Sequence, residues 1–338
     1  MAQVPLIRAV ALQIAADLLR QNGAPVERLL AKAGLSPGAL EKPESLVPFS
    51  ALALFLEEAA RSEGIEDLGL RVGAATRVQQ LGVFGRLISH APTLQDGLET
   101  AYRILPSFSS GERAWLSLER GQAHVHDRFL IEGEHPQVAA LSLMLHLNFI
   151  RGAAGPGWRP TEVWVPAGRL PGHAATPLLS DTRLVFQMPE IRITFPIELL
   201  HLRLPHPDGD VSPSVTSWEK SAPATDVGGA VEQIVTTLLP DGSPDIHLVA
   251  ESVRTSARTL QRWLKQEGVT FARVVARARF HAAQRLLDDP ALKVIDVALD
   301  LGYSDPAHFT RAFSRWSGVT PREFRRLQSS HRPYPLSL

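Results

Sequence analysis

The sequence predicts two dissimilar domains: an α+β domain over residues 1–204 and an all-α domain over residues 228–330, joined by a linker over 205–227. Three observations carry this prediction. Helical and alternating apolar spacings succeed one another through the first 200 residues, which suits an α+β fold. The texture then breaks at "PHPDGDVSPSVTSWEKSAPATDVGG", residues 205–229, with four prolines and few apolar positions. Beyond it nearly every segment has helical spacing, and one short helix is written twice. Leu260, Arg262 and Leu264 answer to Phe309, Arg311 and Phe313, each 49 positions on, and the Gly-Val-Thr at Gly268 returns at Gly318.

In the first domain, residues 6–20, 25–33 and 48–61 have helical spacing with Gly and Pro between them. "SHAPTLQDGLETAYRILP" reads as a helix with Thr93 at its N-cap and Asp96 in its first turn. Leu94, Leu98, Ala101, Tyr102 and Leu105 line one face, and Pro106 is expected to end it. "AWLSLERGQAHVHDRF" reads as two strands around a turn at Arg120-Gly121. Residues 136–150 are apolar nearly all round and are expected to form a buried helix. "TEVWVP", "TRLVFQ" and "IRITFP" are further strands.

The linker is expected to hold at most one short helix, around Trp218. After it, helices are expected at 229–239, 245–253, 256–267, 271–288, 292–301, 305–317 and 321–327.

The echo has a physical reading. In 256–267, Leu260, Trp263 and Leu264 form an inward stripe. Arg258, Gln261, Arg262 and Lys265 fall at i, i+3, i+4 and i+7, so they share one outward face. The second copy turns Phe309, Phe313 and Trp316 inward, with Ala307, Thr310, Arg311 and Ser314 on the corresponding outer face. A short helix and a tight turn precede each, and Ser256 and Ser304 are placed to start the second helix of each pair. Helix, tight turn and helix with a polar outer face is the helix-turn-helix pattern. Such a second helix fits the major groove of double-stranded DNA, where Arg and Gln bond guanine and adenine edges. Successive major-groove faces recur about 34 Å apart, so two units need a strut. Residues 271–287 would make a helix of about 25 Å between them, with Arg273 and Arg277 as phosphate contacts. The alternative, a solenoid fragment, is poorer because two copies make a poor solenoid.

Bulk composition agrees with a local polyanion surface. Formal net charge is zero, but residues 241–338 hold 15 Lys/Arg against 10 Asp/Glu, leaving 20 and 25 in the rest. With no cysteine, disulfides, thiolate metal sites and cysteine nucleophiles are excluded. Arg8 and Asp17 interrupt the apolar start, which reads as an amphipathic helix rather than a signal peptide. The longest uncharged stretch, His135 to Ile150, is shorter than the roughly 18–20 residues of a membrane span. The expectation is a protein without membrane attachment, in the cytoplasm.

"TSARTLQRWLKQEGVTF", "RFHAAQRLL" and "VALDLGYSDPAHFTRAFSRWSGVTPREFR" together resemble the DNA-binding domain of the AraC/XylS family of transcription regulators, over about residues 228–327. The resemblance implies base-facing roles for Arg258, Gln261 and Arg262, and for Ala307, His308, Thr310 and Arg311. Leu260, Phe309, Phe313 and Gly318 would be structural, and Arg279, Ala283, Leu286 and Leu287 match the linker-helix signature. One departure is Arg254, where many members have Gly in the first turn; either the first unit is held differently or Arg254 adds a phosphate contact. Ser256 and Ser304 are further phosphate candidates. Residues 8–208, through "QLGVFGRLISHAPTLQDGLETAYRILPSFSSGE" and "FPIELLHLRLPHPD", resemble the sensing domain of ornithine-utilisation-type members. A largely helical first hundred residues suits this better than the cupin-type barrel of the arabinose regulator. The resemblance implies a small-molecule effector, a homodimer, RNA polymerase as partner, and activation rather than repression. The alternative is a regulator whose N-terminal domain only dimerises and senses nothing.

Ser142 and His146, at i and i+4, can join Tyr102 as the polar groups of an apolar effector pocket. "HVHD" sets His124 and His126 on one strand face, a spacing metal sites use, but with no third ligand nearby no metal is expected. No nucleophile elbow, zincin, phosphate-loop or dinucleotide motif occurs, so neither enzyme activity nor a cofactor is expected. Family-related chains with a methyltransferase or amidotransferase-like domain depend on a cysteine nucleophile, which this chain lacks.

Overall fold

The structure, a computed structural model, describes residues 3–205, 215–242 and 244–331. Residues 206–214 of the expected linker lie outside the described residues. The chain divides into two compact units, one built from Gln3–Thr225 and the other from Asp226–Glu251 and Thr255 onward.

The first unit opens with β1 (Leu6–Arg8), α1 (Val10–Gln21), α2 (Val26–Lys32) and β2 (Leu46–Pro48), where Ile7 pairs antiparallel with Val47. The helix expected from residue 6 therefore starts at Val10. Leu6, Ile7 and Arg8 are all buried, so the three residues lie inside on both faces and carry no helical periodicity of their own. Next come α3 (Phe49–Ser62), α4 (Leu68–Ala75), α5 (Gly82–Ser89) and α6 (Leu94–Phe108). Thr93 caps α6, accepting from the Asp96 amide at 3.2 Å. Pro106 does not end this helix. It lies in the last turn, where it withholds one amide from the carbonyl four residues back, and the helix continues to Phe108.

Then follow β3 (Glu112–Glu119), β4 (Gln122–Phe129), α7 (Pro136–Ala154), β5 (Glu162–Trp164), β6 (Arg183–Val185), β7 (Ile191–Pro196) and the short α8 (Val215–Lys220). Arg120 and Gly121, both at positive φ (50° and 77°), make the tight β3–β4 turn that the dipeptide predicts. The five strands form one sheet in the order β3-β4-β7-β5-β6, antiparallel except for β5 with β6. Ala123, Val125, Ile191, Ile193 and Phe195 turn one face of it into the hydrophobic core shared with the helices. α4 and α5 are not among the helices expected from the sequence. In α4, Gly69 is a point of close approach: a Cβ there would collide with the carbonyl of Gln137 on α7.

The second unit is helical throughout its described residues: α9 (Val227–Leu238), α10 (Ile246–Ser252), α11 (Ala257–Gln266), α12 (Phe271–Leu287), α13 (Val294–Asp300), α14 (Pro306–Ser317) and α15 (Pro321–His331). α10 with α11, and α13 with α14, are the two helix-turn-helix units, and α12 bridges them. Thus the expected fold class holds: an α+β domain followed by an all-α domain with a doubled helix-turn-helix. Phe280 of α12 lies 5.7 Å from Phe313 and 5.9 Å from Trp316, ring centre to ring centre, which seats the second unit on the bridge.

Candidate nucleic-acid interface and ligand cavity

In α11, Leu260 and Leu264 are fully buried, while Arg258, Gln261, Arg262 and Lys265 are exposed along one face. Ser256 caps the helix, its hydroxyl accepting from the Thr259 amide at 3.1 Å and donating to Thr259 Oγ1 at 3.0 Å. Gly268 follows at φ 73°, where a glycine ends a helix without strain. In α14, Phe309 and Phe313 are fully buried. Ala307, His308 and Arg311 are exposed, and Thr310 is half-buried with its hydroxyl donating to the Pro306 carbonyl at 3.0 Å. His308 Nε2 lies 3.6 Å from Asp305 Oδ2.

Ser304 does not cap α14. Asp305 does, accepting from the Ala307 amide at 2.8 Å, with Pro306 as first helical residue, a position that suits its missing N–H. The repeat explains the displacement. Thr255 donates its amide to the Ala250 carbonyl at 2.8 Å, and Tyr303 does the same to Ala298 at 3.0 Å, 48 positions on. The helices that follow are spaced by 49. The second turn is therefore one residue longer, and Ser256 corresponds to Asp305. The same register sets Arg254 against Gly302, both left-handed at φ 55° and 72°. Arg254 thus holds a conformation that L residues disfavour.

Of the phosphate candidates, Arg273 is exposed on α12. Arg277 is paired with Glu232 of α9, which also meets His281 Nδ1 at 2.7 Å. Arg254 and Ser304 are exposed in the two turns.

The first unit contains a cavity with about 110 Å³ of space for water-sized atoms, enough for roughly eight to ten non-hydrogen atoms. Tyr102, Ser142 and His146 all border it, so the sequence-predicted trio is brought together. Most of the remaining wall is apolar, from Phe49, Leu52, Phe84, Leu105, Phe108, Phe149 and their neighbours. Ser142 Oγ donates to Asp127 Oδ2 at 2.6 Å, and His146 Nδ1 donates to the Ser142 carbonyl at 2.9 Å, one turn back. Two carboxyl groups complete the site and were missed in the sequence. Glu112 borders the cavity, and Asp127 is fully buried behind it. Burial, and then the charge of Asp127, push the Glu112 carboxyl up to about 8. Burial also raises Asp127, opposed by His146 and by the Ser142 hydrogen bond. A signal for Asp127 exists: Ala123, Val125 and Asp127 alternate in β4, so the carboxylate falls on the inward register.

His124 and His126 share the opposite sheet face. His126 is held by Glu190 Oε1 at 2.7 Å and Ser117 Oγ at 2.8 Å and stacks on Trp115, while His124 meets Thr194 Oγ1 at 3.0 Å. Among the described residues no group of three or more His, Asp or Glu is arranged to hold a metal ion. Nor is any described helix long and apolar enough to cross a membrane.

Comparison with known proteins agrees with both halves of this geometry. Residues 23–204 match the family described as the arabinose-binding domain of AraC transcription regulators, N-terminal, and residues 249–327 match a helix-turn-helix domain. The chain belongs to the AraC family of transcription regulators. Full-length relatives include the HTH-type transcriptional regulator VirS of Mycobacterium tuberculosis, 27% identical over 95% of this chain and 96% of its own. The ornithine utilization regulator of Pseudomonas aeruginosa is 26% identical over 95% and 96%. Among solved structures, the transcriptional regulator CdpR of Pseudomonas aeruginosa is 22% identical, covering 89% of this chain and 96% of its own at a TM-score of 0.39. As an AraC-family member, the chain is a DNA-binding transcription regulator and not an enzyme.

Proposed function

We propose that this regulator activates transcription in response to a small molecule bound in its first domain. In this reading residues 1–204 sense, 205–227 link and 228–330 read DNA as part of a homodimer that engages RNA polymerase. Arg258, Gln261, Arg262 and Lys265 face one major-groove segment, and Ala307, His308, Thr310 and Arg311 face the next. Arg254, Ser256, Arg273, Arg277 and Ser304 lie against the backbone. Arg277 reaches a phosphate by exchanging Glu232 for it, whereas Arg273 is free to do so directly.

The observation that carries the DNA reading is the pair of outward faces on α11 and α14, where Arg258, Gln261, Arg262 and Lys265, and then His308 and Arg311, are exposed over the fully buried Leu260 and Leu264, and Phe309 and Phe313. A helix seated in this way presents its arginines in one direction, and their planar guanidinium forks favour bidentate contact with base edges. The cavity beside Tyr102, Ser142 and His146 favours sensing over a domain that only dimerises, since a dimerisation module gains nothing from an unfilled core.

Fluorescence anisotropy of the full chain on its own upstream DNA against a shuffled duplex, at two salt concentrations, tests the reading. Preference for the upstream DNA that survives the higher salt is the expected result. Equal, salt-sensitive binding to both would mean backbone contacts alone.

A further inference from the structure

The polar groups around the cavity are unusual in kind. Glu112 borders a chamber whose other polar lining is Tyr102, Ser142 and His146, Asp127 is buried behind it, and among the described residues no Lys or Arg lines it. They lie on neighbouring strands: Glu112 pairs with Phe129 and Ala114 with Asp127, so the two carboxyl groups are diagonal neighbours on the same face. Asp127 is fully buried, yet only one of its oxygens has a partner. Oδ2 accepts from Ser142, while Oδ1 has no partner among the described residues. The Tyr102 hydroxyl, on the cavity wall, is buried and equally unpartnered. An unmet buried acceptor and an unmet hydroxyl each cost about 1–3 kcal/mol, a penalty a folded core seldom carries without use.

These features discriminate between ligands. A carboxylate or phosphate ligand would set its negative charge against the buried Asp127 carboxyl, with no guanidinium or ammonium among the described lining residues to receive it and with His146 Nδ1 already donating to the Ser142 carbonyl. A wholly apolar ligand would leave Asp127 Oδ1 and the Tyr102 hydroxyl unmet. A protonated amine on an alkyl or aryl body satisfies the site at both ends: three N–H donors for carboxyl and phenol oxygens, and an apolar body against Phe49, Phe84, Leu105, Phe108 and Phe149.

Resting on the sensing role proposed above, we propose that the cavity takes a small apolar primary amine, its ammonium group received by Glu112 and the Tyr102 hydroxyl with Asp127 behind them. The remaining groups agree. Held up to about 8 by burial and by Asp127, Glu112 keeps its proton at neutral pH in the empty site. An arriving ammonium lets it ionise, so binding releases a proton.

The test uses the intact full-length chain and three matched probes: 2-phenylethylamine, 2-phenylethanol and phenylacetate. Isothermal titration in buffers of different ionisation enthalpy, with thermal melts alongside, reads affinity and proton release together. The amine is expected to bind at least tenfold more tightly than either other probe, to raise the melting temperature, and to release up to one proton per site near pH 7. Glu112→Gln is expected to lower amine affinity at least tenfold and to leave the alcohol within about twofold. Should that variant misfold, Tyr102→Phe carries the same test with a smaller loss. Tighter binding of the alcohol or of phenylacetate would overturn the amine assignment while leaving the sensing role standing. Binding of none of the three would overturn both.

Discussion

The Arg8 guanidinium donates to the carbonyl of Trp218 at 3.1 Å, 210 residues further along the chain. The same nitrogen reaches the Ser221 carbonyl at 2.9 Å, and Trp218 Nε1 donates to Glu44 Oε2 at 2.7 Å. Arg8 is 1% exposed, and its other donors go to Ser107 and Glu44 carbonyls at 3.0 and 2.6 Å. Ser107 stands beside Phe108 and Leu105 of the cavity wall, so one buried cation ties the wall to the segment that leads out of the first unit.

Replacing Arg8 with Ala strands several buried carbonyls and opens a void. The expected loss is about 3 kcal/mol in chemical denaturation. Limited proteolysis should show new cleavage within residues 215–225. Arg8→Met, which keeps most of the volume, should restore part of the stability and leave the cleavage.

Arg254 holds φ 55° where the second repeat has Gly302. Arg254→Gly removes that strain and should raise stability by about 1 kcal/mol. If Arg254 meets a phosphate, the same variant should lower DNA affinity uniformly across sequences and flatten the salt dependence by about one unit of slope. Melting and anisotropy on one sample separate the two effects.

Glu112 is held up to about 8 in the folded chain, against 4.5 unperturbed, by burial and by Asp127. The folded state therefore keeps a proton that the unfolded state has lost between those two values. Stability should fall as pH rises through this window, be unaffected by Glu112 below about 4.5, and lose no more on its account above about 8. Asp127 acts on it directly, the Ser109 hydroxyl opposes the shift, and His146 acts in turn on Asp127. Melts of the full chain from pH 5 to 9 should show the slope, and Glu112→Gln should flatten it. A slope unchanged in that variant would assign it to another group.

The doubled helix-turn-helix was legible because each unit is specified by its own short stretch: Leu260 and Leu264, or Phe309 and Phe313, mark the inward side without reference to the rest of the chain. The cap of the second reading helix was not, because a one-residue difference in turn length moves it from Ser304 to Asp305 and only paired backbone bonds reveal the shift. Ser142 and His146 were legible as neighbours by helical spacing, and Tyr102 by its place on an amphipathic face. Glu112 was not, since nothing in "SSGERAW" says that its carboxyl turns towards Asp127. α4 and α5 were hidden for a related reason. Gly69 is there for the approach of α7, a contact 68 residues away in sequence.

Whether α11 and α14 read bases together is decided by the specificity of Arg262→Ala and Arg311→Ala. Anisotropy on a panel of singly substituted upstream duplexes would measure it. Each variant should lose about 1–3 kcal/mol and relax preference at one base position, the two positions standing about one helical turn apart. Uniform weakening across the whole panel, with no position relaxed, would assign both arginines to phosphates and rule out base reading by them.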